Sequence, residues 1–339
     1  MGKVGTLSRI FEKHMKILAI DDDSFIVELL TMICNRIGFS DVQTGLSGEE
    51  ALRMIGESEQ GFDCFLLDIN MPQMDGIELC ARIRALPGHE KTPIIMLTAM
   101  TERHYIDRAF KAGATDYATK PIDMIELRAR LRMAEEVVTA RNLAAIALAA
   151  EVEDTQGPPV EKNYALDDLI EVGGFADLID YAALANYLLQ LSRAGLVGSQ
   201  VLAISIDRID EIYARASLRE FTHVLTEVAR AVNTSFGEGG YMMAYAGTGT
   251  FVLISGKATL EPSIGLENEI QGLLDGRRIS FDNGEAIAPE ISIGNPIRPN
   301  ASKTQRIRRT FDRAIARAQN RGQKKASDGA HPADRLASR

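Results

Sequence analysis

Five times between residues 16 and 121 a short apolar run gives way to an amphipathic stretch, and that alternation leaves little freedom of architecture. Lys16–Ile20, Asp41–Thr44, the run leading into Asp68, Pro93–Ala99 and Thr115–Lys120 read as strands bounded by turn residues. Between them, Ser24–Ile37, Gly48–Ile55, Ile77–Leu86 and Glu102–Lys111 carry apolar residues at helical spacing, with Gly38 and Gly113 as stops. Strand–helix repetition of this kind predicts a parallel sheet with helices on both faces, an α/β doubly wound unit.

Several of these strands run into polar residues at their carboxyl ends, where an open parallel sheet binds its ligands. The run Phe65-Leu66-Leu67 stops at Asp68 and enters the turn Asn70-Met71-Pro72-Gln73-Met74-Asp75-Gly76. Taken alone, Asp68 reads equally well as a turn cap. The first strand runs into Asp21-Asp22-Asp23. Three adjacent carboxylates repel one another, and either a helix N-terminus or a hard divalent cation would relieve them; a cation is the stronger account because it takes oxygen ligands. With Thr98 and Lys120 at two further strand ends, the rim collects Asp21, Asp22, Asp68, a hydroxyl and an ammonium. That set suits phosphoryl transfer, in which positive charge must offset the charge spread over phosphoryl oxygens.

The motifs Ile20-Asp21-Asp22-Asp23, Leu67-Asp68-Ile69-Asn70-Met71-Pro72, Asp75-Gly76, Leu97-Thr98-Ala99 and Lys120-Pro121 resemble those of the receiver domain of two-component response regulators, over residues 15–135. The resemblance implies a five-stranded flavodoxin-like sheet with Asp68 as phosphoacceptor. It implies Mg²⁺ (or Mn²⁺) held by Asp22, Asp68 and the Asn70 carbonyl, with Asp21 assisting through water. Lys120 would pair with the phosphoryl group, and Thr98 and Tyr117 would be the switch pair. The implied partner is a sensor histidine kinase or phosphotransfer protein. No residue of this set departs from the family pattern.

A chain of 339 residues calls for more than one core. Residues 1–14 read as a leader. From Met124 to Asp154 a helical pattern without Gly or Pro carries Leu127, Leu131, Ala134, Val138, Arg141, Ala145, Leu148 and Val152 at heptad spacing. Its first turns pack on the first domain; beyond Glu135 it outruns that domain, so residues 136–160 are expected to be a helical linker forming a parallel coil in a homodimer. Gly157-Pro158-Pro159 ends it. Cys34, Cys64 and Cys80 show no metal-ligand spacing and read as buried reduced thiols of a cytoplasmic protein. No run is long enough for a membrane helix, and a net charge of −9 argues against general nucleic-acid binding.

Residues 161–325 read as a second α/β unit, with a strand at Val201–Ile206 and a hairpin around Ala246-Gly247-Thr248-Gly249-Thr250. Further elements are a strand at Pro289–Gly294 and a last helix, Ile307–Arg321, whose basic residues form a solvated face. Ser205-Ile206-Asp207-Arg208-Ile209, Gly247-Thr248-Gly249-Thr250-Phe251, Ile291-Ser292-Ile293-Gly294 and Asp312–Gly322 resemble the GGDEF (diguanylate cyclase) domain. The family's metal-binding Asp is Ser205 here, and its two hairpin acids are Gly249 and Thr250. Tyr213 stands at the base-reading Asn and Gln319 at the phosphate-contacting Lys. Two metal ions cannot be held without carboxylates, so this domain is expected to be catalytically silent and to act by protein–protein interaction. The alternative is a divergent cyclase, or a sensor that binds GTP or a cyclic dinucleotide; a DNA-binding regulator is disfavoured by the acidic charge. Residues 326–339 read as a disordered tail.

Overall fold

The computed structural model describes residues 15–99, 102–152, 164–191, 195–196, 198–237, 240–256, 263–299 and 305–329. The leader, the Gly157–Pro159 stop and residues 330–339 lie outside them. The chain divides into two compact units, Met1–Gly157 and Pro158–Arg339.

In the first unit the elements are β1 (Ile17–Ile20), α1 (Ser24–Ile37), β2 (Val42–Gly45), α2 (Gly48–Glu57), β3 (Cys64–Asp68) and α3 (Gly76–Arg84). They continue with β4 (Ile94–Thr98), α4 (Arg103–Lys111), β5 (Asp116–Thr119) and α5 (Met124–Val152). The five strands are parallel in the order β2-β1-β3-β4-β5, the flavodoxin-like doubly wound sheet. Successive strand residues point to opposite faces, and β1, β3 and β4 are buried throughout, so both faces are covered. One face packs Ile17, Ala19, Leu66 and Leu97 against Leu30 and Ile33 of α1 and Leu127 and Leu131 of α5. All three cysteines are buried and free, and burial pushes each thiol's pKa up.

The first turns of helix α5 pack on their own unit as expected, and the helix differs from its sequence reading in how far along it that contact continues. Leu127, Leu131 and Ala134 are buried in the core of their own unit. Arg141 still reaches back to that unit, donating to the Lys91 carbonyl. The helix therefore has not left its domain at Glu135: the guanidinium is long enough to find a carbonyl at the bottom of the sheet. Seam positions Ala145, Leu148 and Val152 lie outside the described side chains.

The second unit contains α6 (Tyr181–Gln190), β6 (Gln200–Ile206), α7 (Ile209–Arg215), α8 (Leu218–Phe236), β7 (Tyr241–Tyr245) and β8 (Thr250–Ser255). It closes with α9 (Ser263–Asp275), β9 (Ile279–Ser280), β10 (Ala286–Ile287), β11 (Ile291–Ile293) and α10 (Gln305–Gly329). Its main sheet has the order β11-β6-β8-β7 with antiparallel neighbours. Leu202, Ile204, Phe251 and Leu253 pack with Phe221, Val224 and Val228 of α8 and Ile270 of α9 on one face. Phe311, Ala314 and Ala318 of α10 are buried as well, and Gly294 lets the α10 backbone pass: a Cβ there would stand 2.7 Å from the Ala318 nitrogen.

Both edges of this sheet are occupied. The outward N–H groups of Ile291 and Ile293 donate to Gln271 Oε1 (3.0 Å) and Glu267 Oε2 (2.8 Å) from α9. At the other edge Ile179 N donates to the Met243 carbonyl (2.8 Å) and Met243 N to the Asp177 carbonyl (2.7 Å). Two sequence expectations fail here. Helix α10 spans Gln305–Gly329 rather than Ile307–Arg321, so residues 326–329 of the expected tail are helical, because residues 323–328 hold no helix breaker and Lys325 docks on the sheet. The basic face is not simply solvated either: Arg317, Arg321 and Lys325 are bonded to groups of their own unit.

Candidate functional site

The rim at the carboxyl ends of β1, β3, β4 and β5 is built by parallel register, which sets Asp68 opposite Leu97 and Thr98 opposite Thr119. Asp21 and Asp68 are buried, Asp22 is exposed, and one carboxylate oxygen from each lies within 4.8 Å of the others. Lys120 Nζ sits 2.6 Å from Asp21 Oδ2 and 2.6 Å from Asp68 Oδ1. The Asp23 N–H donates to Asp21 Oδ1 (3.1 Å) and the Asn70 N–H to Asp68 Oδ2 (2.7 Å). Asp23 belongs to the helix rather than the pocket: as N-cap of α1 it accepts from Phe25 N at 2.9 Å.

Burial pushes the Asp68 carboxyl above the usual range, with the hydrogen bond and charge of Lys120 working against the rise. Burial also disfavours the Lys120 ammonium, but its bonds to Asp21 and Asp68 and their charges outweigh that and raise its pKa. A pocket of oxygen donors with one ammonium among three carboxylates keeps an excess of negative charge, which fits a hard divalent cation.

Behind the rim, Thr98 and Tyr117 are fully buried and hydrogen-bonded to each other through their side chains. Burial raises the Tyr117 phenol, with its hydrogen bond to Thr98 working against the rise. The Lys120–Pro121 peptide is cis. Gly76 opens α3 so close to the strand end that a Cβ there would lie 2.0 Å from the Asp68 carbonyl oxygen. Asp21, Asp22, Asp68, Thr98, Lys120 and Tyr117 are thus gathered at one place, with Asn70 joined through its backbone.

Residues 17–132 match the family model of the response regulator receiver domain. Over 117 residues the chain is 37% identical to the transcriptional regulatory protein SrrA of Staphylococcus aureus, covering 34% of this chain and 46% of that protein. Residues 17–132 are a response regulator receiver domain. Among solved structures, the chemotaxis protein CheY4 of Vibrio cholerae is 30% identical, covering 36% of this chain and 99% of that one, at a TM-score of 0.34. The response regulator DrrB of Thermotoga maritima is 31% identical over 37% of this chain and 54% of its own, at 0.33. The chain spans about half the length of the curated relatives it matches. Receiver domains bind Mg²⁺ at an acidic pocket, which here is Asp21, Asp22 and Asp68, and they interact with histidine kinases or phosphotransfer proteins. No helix among the described residues is long and apolar enough to cross a membrane.

The second unit brings only part of its expected set together. Ser205 and Thr250 pair across β6 and β8, with their hydroxyls 3.3 Å apart and buried. Gly249, at φ +65°, leaves no room for a Cβ, which would stand 2.5 Å from Ile209 Cγ1. Tyr213 turns away to donate to the Tyr164 carbonyl (2.8 Å), and Gln319 is exposed on α10. What sequence reasoning missed is the charge network beside them. Asp207 Oδ2 accepts from Ser292 Oγ (2.8 Å), and Glu267 lies 2.9 Å from Lys325 and 3.2 Å from Arg321. Lys325 also donates to the Ile291 carbonyl at 2.5 Å. The only signal was Gly322, which admits Asp207: a Cβ there would meet Oδ1 at 2.3 Å.

Proposed function

We propose that the chain is a two-component response regulator in which Asp68 takes a phosphoryl group and the second unit passes the state on by protein contacts, without making a cyclic dinucleotide. The observation that carries the reading is Lys120, held 2.6 Å from both buried carboxylates of an acidic trio. A carboxylate oxygen of Asp68 attacks the phosphorus of a phosphohistidine; the P–N bond breaks, the imidazole leaves with the electron pair, and an acyl phosphate remains on Asp68. Asp22, Asp68 and the Asn70 carbonyl would hold Mg²⁺ or Mn²⁺, with Asp21 assisting through water, and the ion would supply positive charge to offset that of the phosphoryl group.

Lys120 transfers its ion pair from the Asp68 carboxylate to the new phosphoryl oxygens. The modification adds roughly −1.5 to −2 charges at the rim, by analogy with other phosphorylated side chains. The Thr98 hydroxyl turns from Tyr117 to a phosphoryl oxygen, and the already buried Tyr117 ring loses that partner. That biases the face formed by α4, β5 and α5, and through α5 a homodimer.

Helices α7 and α8 after β6, the β7–β8 hairpin, α9, β11 and α10 follow the order of a GGDEF domain. Hydroxyls at Ser205 and Thr250, where a two-metal site needs carboxylates, support its silence. A transcriptional output, as named for the Staphylococcus relative, is opposed by the net charge of −9.

With labelled phosphodonor and Mg²⁺, wild type takes up label and Asp68→Asn does not; equal uptake would end the proposal. Incubation with GTP and Mg²⁺ gives no cyclic product, and a product would establish the cyclase alternative. Sedimentation with beryllofluoride, a phosphoryl mimic, reads the dimer.

A further inference from the structure

Helix α10 differs in charge from the other long helix of its unit. Gln305–Gly329 holds eight Lys and Arg, two Asp and no Glu, whereas α8 balances Arg219 and Arg230 with Glu220 and Glu227. Opposite charges at i,i+4 support a helix and like charges weaken it. Here Arg309, Arg313, Arg317, Arg321 and Lys325 stand in one i,i+4 row. The fold offsets only part of that repulsion.

At 3.6 residues per turn, each step of four moves about 40° around the axis, so the row winds from solvent onto the sheet. At its inner end Lys325 donates to the Ile291 carbonyl and meets Glu267 at 2.9 Å. Arg321 meets Glu267 at 3.2 Å, and Arg317 donates to the Asn295 and Pro296 carbonyls at 2.9 Å each. At its outer end Arg309 and Arg313 are exposed, with no ion pair or acceptor among the described residues. Asp312, the one acid between 305 and 327, bonds to neither. Three cations are thus used by the fold, and two are left facing outward.

A guanidinium fork matches a carboxylate or a phosphate, and the surroundings choose between them. A lipid surface is taken by a helix that can insert its apolar side, but Phe311, Ala314 and Ala318 of α10 are buried in their own core. A nucleic-acid strand extends past two side chains. Residues 158–297 hold 19 Asp and Glu against 9 Lys and Arg, so a longer rod of phosphates meets repulsion on either side of the row. Phe311 is the one aromatic of α10, and buried it offers a base nothing to stack on. A protein helix with carboxylates at i,i+4 repeats every ~6 Å, as Arg309 and Arg313 do, and is narrow enough to cover the row alone.

We propose that Arg309 and Arg313, the outer end of this row, dock a carboxylate-bearing helix of a partner protein. This rests on the reading of the second unit as acting by protein contacts, and it names the surface and the chemistry that the contact uses.

Fluorescence anisotropy with the full-length chain at low salt tests it, the probe being a labelled helical peptide with glutamate at every fourth position. Wild type binds the peptide, and Arg309→Gln/Arg313→Gln weakens binding about 3- to 20-fold, the range for two ion pairs at a surface. Arg36→Gln/Arg278→Gln removes the same charge from exposed positions elsewhere and changes binding by less than about 2-fold. Equal weakening by both pairs of substitutions makes the attraction one of bulk charge and overturns the docking row. Absence of binding by wild type overturns it as well. A labelled DNA duplex, or vesicles of phosphatidylserine and phosphatidylcholine, held more tightly than the peptide and released by Arg309→Gln/Arg313→Gln, makes the partner a phosphate surface and overturns the carboxylate. None of these failures touches the labelling of Asp68 or the lack of a cyclic product. A cyclic product from GTP overturns the reading of the second unit, and the proposed role of the row with it.

Discussion

Asp68 at the end of β3 and Asp207 just past the end of β6 both leave a buried strand as acid, and the two units treat that charge in opposite ways. In the receiver, one ammonium serves two buried carboxylates while Asp22 stays exposed beside them. In the second unit, Asp207 has Ser292 and Lys325, while Glu267 has Lys325, Arg321 and the Ile293 N–H. The first cluster is short of cations and the second is saturated. An acid at a strand end is therefore no site in itself; what distinguishes the two is how much of the charge the chain neutralises on its own.

The contrast can be broken at four points, taken from the largest effect down. Glu267→Ala leaves Lys325 and Arg321 without their shared acid and uncovers the Ile293 N–H. It should cost about 3 kcal/mol in denaturant unfolding of the second unit, the low end for a broken buried pair because both cations keep some solvent. Phosphoryl uptake by Asp68 should not change. Lys120→Ala should slow phosphoryl uptake by about a hundredfold, the order seen when one preorganised donor is removed. Millimolar Mg²⁺ should restore its thermal stability, whereas Mg²⁺ should do nothing for Lys325→Met; rescue of both would erase the distinction.

Ser205→Asp puts a carboxylate where Thr250 offers one hydroxyl. It should destabilise by about 2 kcal/mol, and recovery with Mg²⁺ would mean that the second rim can hold a cation after all. The smallest effect is on pH. Burial raises the Glu267 pKa, but the Ile293 N–H, Lys325 and Arg321 outweigh it and hold the group below its ordinary 4.5. An acid depressed on folding contributes stability above its unfolded pKa and loses it as pH falls through the folded value. The stability gap between wild type and Glu267→Gln should therefore be constant at neutral pH and shrink below pH 4.5. A gap that widened on acidification would reverse the assignment.

The receiver was legible because its information is local. Strand ends, Asp21-Asp22, Asp68, Thr98 and Lys120 lie in runs whose period announces a parallel sheet, and parallel register then brings them together. The second unit was legible as elements but not as contacts. Lys325 meets Glu267 across 58 residues, and no spacing rule relates a position on α9 to one on α10. The β9–β10 hairpin was missed because two residues per strand carry no period, although Asp282-Asn283-Gly284 marks a turn. Helix α5 was legible in its first turns, where Leu127 and Leu131 pack into the core as their spacing suggested; how far along the helix that packing continues was not, because one heptad stripe can face its own core or a second helix.

The side chains of Gln271 and Glu267 along β11, and the backbone of Asp177 and Ile179 along β7, have a further consequence. A ladder with free rungs recruits whatever extended peptide passes, including another copy of itself. With Ile291, Ile293 and Met243 already engaged, those rungs are closed to edge-to-edge pairing, and the sheet is guarded there against templating its own aggregation.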